Sequence, residues 1–288
     1  MSLMYLSSFR FATREQEYDH RWDIKRTCYD SMYPFGILSK HSLRRIDCEP
    51  ITILYGGNGS GKSTALNVIA EKIGIERGTF YNRSNFYEDY LNLCEYELIG
   101  ELPEGSRIIT SDDVFDFMLN LRCLNEKIDY RREELLQEYV EDKHSRFRMN
   151  SLDDYEELHR RNMAKRKTQS QYVRSRVMDN VREHSNGESA FIFFTEKITE
   201  KALYLLDEPE NSLSPEKQLE LKSYLLDSAR FYNCQFVIAT HSPFLLSIPG
   251  AKIYDFDEDP VDVKKWTELD TVRRYFEFFE EHRREFEY

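Results

Sequence analysis

Apolar runs of about five residues, each ending in polar or glycine residues, recur at three places in the chain. They lie within 51–64 (ITILYGGNGSGKST), 202–212 (ALYLLDEPENS) and 234–244 (CQFVIATHSPF). Continuous apolar runs of this length are typical of strands that are buried on both faces of a parallel sheet. We therefore predict three strands of one mostly parallel sheet, with the chemically important side chains at their carboxyl ends.

Helical periodicity follows these strands, over residues 62–74, 214–230 and 269–288. A longer charged stretch without glycine or proline, from 112 to 184, also has a helical pattern. Because the β-pattern resumes after it, we interpret 112–184 as an inserted helical lobe within a single domain of residues 1–288. The predicted fold is α/β: a mixed, mostly parallel sheet flanked by helices, with an inserted α-helical lobe.

Composition narrows the class of protein. The 288 residues carry a formal net charge of −12, which argues against a surface that binds nucleic acid all round. Five cysteines without a C-x-x-C pair favour reduced, buried thiols in a cytoplasmic protein. No window approaches the roughly 18 apolar residues of a membrane span, and no export signal is visible.

The segment GGNGSGKS, residues 56–63, matches the phosphate-binding pattern G-x-x-x-x-G-K-[ST] and lies between a predicted strand and a predicted helix. Its backbone amides and the helix dipole favour a bound phosphate. Lys62 would neutralise phosphate oxygens, and Ser63 would ligate Mg²⁺. The predicted nucleotide-binding residues are Gly56, Gly57, Asn58, Gly59, Ser60, Gly61, Lys62, Ser63 and Thr64.

Acidic residues end the second strand, and a histidine follows the third. Asp207 is placed to hold Mg²⁺, and Glu208 is placed to act as the base for an attacking water. His241 ends a strand of the same predicted sheet, so we expect it at the same edge, near a terminal phosphate or that water. The catalytic candidates are therefore Glu208, His241 and Lys62, and the metal candidates are Ser63 and Asp207.

The segment HSNGESAFIFF, residues 184–194, has two interpretations. Ser185 followed by Glu188 predicts a capping box at the start of a helix. The small residues Ser185, Asn186 and Gly187 would also expose backbone amides at a helix N-terminus, which is a phosphate-binding arrangement. A helix cap alone explains the same residues, so the pattern leaves both interpretations open.

These motifs together resemble the ABC-type ATPase superfamily. The resemblance is to its soluble branch, related to structural-maintenance-of-chromosomes and RecF-like ATPases and to stand-alone AAA-type ATPases of bacterial defence loci. GGNGSGKS resembles Walker A, and YLLDEP resembles Walker B with Glu208 as the catalytic glutamate. NSLS, residues 211–214, resembles the D-loop, ATHS resembles the switch-histidine loop, and HSNGE lies where the signature motif is expected.

The resemblance implies that ATP and Mg²⁺ are the cofactors. It also implies a homodimer on ATP binding, in which Ser185 and Gly187 of one subunit contact the nucleotide of the other. His184, Asn186 and Glu188 depart from the family's leucine, glycine and glutamine.

No glutamine occupies the usual Q-loop place. Ser111 or Asp112, within IITSDDVF, are the candidates for that position. Tyr33 or Phe35 are the candidates for the aromatic residue that stacks on adenine.

Residues 160–176, RRNMAKRKTQSQYVRSR, contain seven basic residues and no acidic one. Such a run is most often a solvated helix face. The open alternative is contact with nucleic acid or with an acidic protein partner.

The predicted function is a Mg-dependent ATP hydrolase that acts as an ATP-gated dimerisation switch and controls a partner, in DNA maintenance or phage defence. The resemblance implies a protein effector of the nuclease or toxin type as the partner. No nuclease motif is visible in this chain, so if nucleic acid is cut, we expect another protein to cut it. The alternatives are the nucleotide-binding subunit of a membrane transporter and a P-loop small-molecule kinase.

Overall fold

The computed structural model describes residues 4–23, 28–144, 155–181 and 185–287. In these residues the strands are β1 (Leu6–Arg10), β2 (Arg45–Asp47), β3 (Ile51–Tyr55), β4 (Glu76–Arg77), β5 (Glu95–Leu98), β6 (Arg107–Thr110), β7 (Leu203–Asp207), β8 (Gln235–Ala239), β9 (Lys252–Asp255) and β10 (Asp262–Lys264). The helices are α1 (Arg14–Asp23), α2 (Lys62–Ile73), α3 (Tyr87–Asn92), α4 (Ser111–His144), α5 (Tyr155–Arg166), α6 (Gln169–Arg174), α7 (Asn186–Lys197), α8 (Pro215–Phe231), α9 (Pro243–Leu246), α10 (Asp270–Glu281) and α11 (Arg283–Phe286).

Seven strands form the main sheet, in the order β10-β9-β3-β8-β7-β6-β4. β10 is antiparallel to β9, and every other neighbouring pair is parallel. The predicted mixed, mostly parallel α/β fold is therefore confirmed, with β3, β7 and β8 as the three predicted strands. A second, antiparallel sheet has the order β2-β1-β5.

The three central strands are apolar along their length because both faces of the sheet are covered. Every residue of β3 and β8 is buried, and in β7 only Asp207 is not fully buried. α2 follows β3 directly and buries most of its first nine residues. It ends at Gly74, whose φ of 72° is the left-handed conformation that a helix C-terminus favours.

The chain forms two compact units, residues 1–115 with 185–288 and residues 116–184. The charged stretch is helical but not continuous, since α5 and α6 are separate helices and Thr168 forms a capping box at the start of α6. The buried side chains of this unit include Leu135, Tyr139, Ala164, Tyr172 and Val173. That 112–184 is an insertion within one ATPase domain stays a prediction.

Three local expectations differ from the structure. The N-terminal residues, from which the sequence pattern predicts no element, form β1, in which Leu6 and Phe9 are completely buried. The predicted C-terminal helix over 269–288 is divided at His282 into α10 and α11. The thiols are free, as expected, but Cys28 and Cys123 are exposed and not buried.

Candidate functional site

The carboxyl ends of the central strands lie side by side at one edge of the main sheet. The register pairs Asp207 of β7 with Ala239 of β8, and Ala239 with Leu54 of β3. On the other side of β7, Thr110 of β6 pairs with Asp207. Because the strands are parallel, the segments that follow them leave the sheet at this common edge, which is where open α/β sheets bind ligands.

The glycine-rich segment after β3 forms a loop that leads into α2. Gly61, directly before α2, has a φ of 99°, and a Cβ at this position would lie 3.0 Å from the side chain of Leu38. Glycine is therefore required here by both the backbone and the packing. The side chain of Lys62 is buried and donates hydrogen bonds to the carbonyl oxygens of Gly56 at 2.6 Å and Gly57 at 3.0 Å.

Ser63 and Asp207 meet across this edge, although they are far apart in the sequence. The Ser63 hydroxyl donates a hydrogen bond to Oδ1 of Asp207 at 2.9 Å. The pKa of Asp207 is raised to about 6, chiefly by burial and to a smaller extent by the neighbouring Glu208 carboxylate, while the hydrogen bond from Ser63 lowers it. A hydroxyl and a carboxylate are the oxygen ligands that Mg²⁺ prefers, so this pair suits a magnesium ion.

Glu208 and His241 form the next contact along the edge. The Nδ1 atom of His241 lies 4.0 Å from Oε1 of Glu208. Glu208 has a left-handed φ of 48°, and its amide donates to the carbonyl of Ala239 at 2.9 Å. The side-chain amide of Asn211 donates to Oε2 of Glu208 at 2.9 Å, so both the backbone and the carboxylate of Glu208 have a hydrogen-bond partner.

Glu210 organises the loop that carries His241, and the sequence analysis did not single it out. Its Oε1 atom accepts hydrogen bonds from the Thr240 hydroxyl at 2.6 Å, from the His241 amide at 2.9 Å and from the Ser242 amide at 3.2 Å. Its side chain is only 5% exposed. The second glutamate in DEPE was the signal in the sequence, but the groups that donate hydrogen bonds to it lie about thirty residues away.

The capping box at the start of α7 is confirmed. The Glu188 amide donates to the Ser185 hydroxyl at 3.3 Å, and the Ser185 amide donates to the Glu188 carboxylate at 3.0 Å. Gly187 lies against the segment 211–214, since a Cβ there would be 3.5 Å from the carbonyl oxygen of Ser212. The structure thus brings the start of α7 to the loop after β7, while His184 lies outside the described residues.

The two aromatic candidates lie in different surroundings. The Tyr33 hydroxyl donates to the hydroxyl of Thr64 at 3.2 Å, which places Tyr33 beside the glycine-rich loop. A cavity of about 500 Å³ opens next to Tyr33. Phe35 instead stacks on His20, with ring centroids 5.5 Å apart. Of the two, only Tyr33 has a contact with the loop in the described residues.

Two further carboxylates line this edge. Both oxygens of Asp257, two residues after β9, accept the amide hydrogen of Gly57 at 2.9 Å. Asp113 accepts from the amide and the hydroxyl of Thr110, both at 2.8 Å. Sequence spacing does not predict the contact of Asp257 or that of Asp113.

Ser111 and Asp112 are the two candidates for the position of the absent Q-loop glutamine. Ser111 is half-buried at the first position of α4, and Asp112 is exposed.

The basic segment divides into paired and unpaired residues. Arg160 and Arg161 lie 2.9 and 3.8 Å from the buried carboxylate of Asp142, and Arg176 donates to the Tyr172 hydroxyl at 2.7 Å. The remaining cations have no side-chain hydrogen bond or ion pair within the described residues, and all but the half-buried Lys167 are exposed. They are Lys165, Arg166, Lys167 and Arg174.

A family model of ABC transporter ATP-binding regions matches residues 42–211, which include the glycine-rich loop, Asp207 and Glu208. The chain belongs to the ABC-type ATPase family. A second model, of an AAA domain ascribed to a type IV toxin–antitoxin system, matches residues 190–247 and so includes His241. Membership in this family implies ATP binding, with Mg²⁺ in general, and ATP hydrolysis as the general activity.

One curated relative is the tungstate uptake system ATP-binding protein TupC of Campylobacter jejuni, which is 27% identical over 217 residues. The match covers 73% of this chain and 54% of TupC, so the chain spans about half the length of that relative. Within the described residues no helix is both long and apolar enough to cross a bilayer.

Solved structures with a similar fold include ABC cassettes and chromosome-maintenance heads. The Smc head domain of Pyrococcus furiosus, solved with the C-terminal domain of ScpA, matches at 13% identity and a TM-score of 0.43, covering 98% of this chain and 100% of the other. A dimeric ATP-binding cassette bound to ADP and Pi matches at 14% identity and a TM-score of 0.35, covering 78% and 90%. Similarity at this level says nothing about individual residues here.

Proposed function

We propose that this protein is a Mg-dependent ATP hydrolase that works as an ATP-gated dimerisation switch. The observation that carries the proposal is the contact of Ser63 with Asp207 beside the pair Glu208 and His241. A hydroxyl and a carboxylate that suit Mg²⁺ lie next to a further carboxylate and an imidazole, and this supports phosphoryl transfer to water as the reaction.

In this mechanism Lys62 leaves the carbonyl oxygens of its own loop and balances phosphate charge. Ser63 and Asp207 hold Mg²⁺, which neutralises charge on the phosphates. Glu208 accepts a proton from the attacking water, and His241 senses the terminal phosphate. Asn211 holds the Glu208 carboxylate, and the bond from the Glu208 amide to Ala239 fixes its backbone, so that the carboxylate does not have to be ordered at the moment of reaction.

The hydrolysis step is tested by Glu208→Gln, which keeps the shape of the side chain but removes the base. Phosphate release should fall by about 10²–10⁴-fold, while Mg-ATP binding persists. Glu200→Gln makes the same change at an exposed position before the amino end of β7 and should leave the rate unchanged. An unchanged rate in Glu208→Gln would refute the assignment of the base.

The switch requires that one nucleotide is contacted by two subunits, through Lys62 of one and Ser185 with Gly187 of the other. Ser185→Asp keeps a good helix cap but puts a negative charge where a phosphate would approach, whereas Ser185→Asn keeps the cap without charge. We expect Ser185→Asp to lose hydrolysis and Ser185→Asn to retain it.

Mixing two inactive chains tests the shared site directly. A Lys62→Ala chain supplies an intact start of α7, and a Ser185→Asp chain supplies an intact glycine-rich loop, so a mixed dimer contains one complete site. Recovery of hydrolysis on mixing supports the shared site, and absence of recovery contradicts it. Light scattering of Glu208→Gln with saturating Mg-ATP should separately detect a dimer.

The switch would control a protein effector, of the nuclease or toxin type, in DNA maintenance or phage defence. The exposed Lys165 and Arg166 and the half-buried Lys167 support contact with nucleic acid as part of this role. Co-purification from the native host followed by mass spectrometry identifies the effector. Unchanged DNA and RNA binding after alanine replacement of the three cations would contradict the nucleic-acid contact.

A second candidate is the nucleotide-binding subunit of a membrane transporter. The match to the ABC transporter family model and the similarity to TupC support it. The segment after β6, which lacks the glutamine of transporter cassettes, favours the switch instead. Fractionation of native cells separates the two, because a transporter subunit sediments with membranes and a switch of this type does not.

A further inference from the structure

Helix α10 exposes a set of aromatic side chains that have no covering element in the described residues. The helix is anchored at its start, where Leu269 and Val272 are buried and the Tyr55 hydroxyl donates to Thr271 at 2.7 Å. From residue 273 to residue 281 every residue is exposed. The aromatic side chains and their exposed fractions are Tyr275 at 48%, Phe276 at 65%, Phe278 at 53% and Phe279 at 53%, with Phe286 of α11 at 64%.

These aromatic residues are arranged as an interaction surface. Val272, Tyr275, Phe276 and Phe279 have the i, i+3, i+4, i+7 spacing of one helix face, so the buried stripe that starts at Val272 continues into solvent. A covered aromatic side chain buries about 150–250 Å², so this set offers several hundred Å² per chain. A helix of this length is only marginally stable in water without a packed face, which indicates that a partner covers it.

The charged residues next to this stripe indicate which partner packs against it. Arg273 and Glu280 are seven residues apart and so lie on the same edge of the helix, two turns from one another. They are equally distant from the point between Phe276 and Glu277. If a second copy of α10 packs antiparallel about that point, Arg273 of each chain lies opposite Glu280 of the other, whereas a parallel pair would place Arg273 against Arg273.

We propose that α10 packs antiparallel against α10 of a second copy of this chain, forming a two-fold dimer that does not require nucleotide. Such an interface is self-complementary, as two-fold interfaces must be. The Arg273 guanidinium has no hydrogen bond or ion pair within the described residues, and Glu280 has only Arg283 at 3.8 Å. Both groups are therefore available at the edge of the aromatic stripe. This contact is separate from the ATP-gated one and would tether two chains before ATP joins their sites.

Sedimentation of the full chain without nucleotide tests this proposal. We expect a concentration-dependent dimer, and Phe276→Glu with Phe279→Glu should convert it to monomer. Phe231→Glu is the matched control, because Phe231 is an aromatic residue of α8 that is 72% exposed, and it should leave the dimer intact. A monomeric wild-type chain at all concentrations, or a dimer that survives the aromatic pair of substitutions, overturns the proposal.

A charge exchange tests the antiparallel order. Arg273→Glu alone and Glu280→Arg alone each place like charges together and should weaken the dimer, and the double variant should restore it. Failure of the double variant to restore it overturns the antiparallel pairing. Because these measurements contain no ATP, their outcome is independent of the Glu208→Gln experiment on the ATP-gated contact.

Discussion

The end of β7 and the start of α7 both combine a hydroxyl with carboxylates, but they are organised in opposite ways. At β7, Asp207 and Glu208 are bonded to Ser63 and Ala239, residues far away in the sequence, on neighbouring strands and loops. At α7, Ser185 and Glu188 bond each other within three residues and remain exposed. The first arrangement joins residues that are distant in the sequence, whereas the two hydrogen bonds of the helix cap join residues three positions apart.

We therefore expect substitutions at the end of β7 to change both stability and catalysis, and substitutions at the start of α7 to change mainly contacts with another molecule. The largest expected effect comes from Glu210, the buried acceptor next to β7.

Glu210→Ala leaves the Thr240 hydroxyl and the His241 amide without this acceptor, while the Ser242 amide keeps only its bond to the Thr240 hydroxyl. A buried donor without a partner costs about 1–3 kcal/mol, so we expect a stability loss of about 3 kcal/mol or more, measured by urea denaturation. Because Glu210 positions the His241 loop, kcat should fall more than the affinity for ATP.

Glu210→Gln keeps one oxygen acceptor and should restore part of the loss in both stability and kcat. The control Glu200→Ala removes an exposed carboxylate before the amino end of β7 and should change neither. A Glu210→Ala chain that is destabilised but has normal kcat would limit Glu210 to a structural role.

Asp207 gives the next effect, and it depends on pH. Its pKa is raised from the ordinary aspartate value of 3.8 to about 6 in the folded chain, so between these pH values the folded state holds the proton more tightly. Stability without nucleotide should therefore fall as pH rises from about 4 to about 6, by up to about 3 kcal/mol.

Asp207→Asn has no charge to bury and keeps an oxygen that accepts from Ser63. We expect it to be more stable than the wild type at pH 7, with the difference vanishing near pH 4. Denaturation at several pH values measures this difference. If the free energy of unfolding depended on pH in the same way in the wild type and in Asp207→Asn, the Asp207 carboxylate would not be the cause of the pH dependence.

Ser185→Ala should have a smaller effect on stability, because it removes one exposed helix cap. The expected loss is about 1 kcal/mol, and Ser185→Asn should show almost none. If Ser185→Ala instead destabilised the chain as much as Glu210→Ala, the contrast between local and tertiary organisation would fail.

The smallest effect is expected for alanine replacement of Lys165, Arg166 and Lys167. These residues have no side-chain partners within the described chain, so stability should change by no more than about 0.5 kcal/mol. Thermal denaturation of the triple variant checks this. The matched comparison is Arg160→Ala, which removes a contact of the buried Asp142 and should cost more.

Much of the site was predictable because its signals are local. The loop from Gly56 to Ser63, the acid pair after β7 and the cap at Ser185 each depend on residues that are neighbours in the sequence. The roles of these residues stay predictions. Glu210 and Asp257 were missed, because the groups that they bond are about 30 and 200 residues away in the sequence.

The sequence by itself determined the three buried strands, the positions of the polar groups after them and the helix starts, because apolar runs and caps act over a few residues. Only the tertiary structure decided that Ser63 meets Asp207, that Glu210 holds the His241 loop and that β1 belongs to the core. It also decided that the aromatic face of α10 remains exposed. These outcomes depend on strand order and packing between distant segments, which no local pattern specifies.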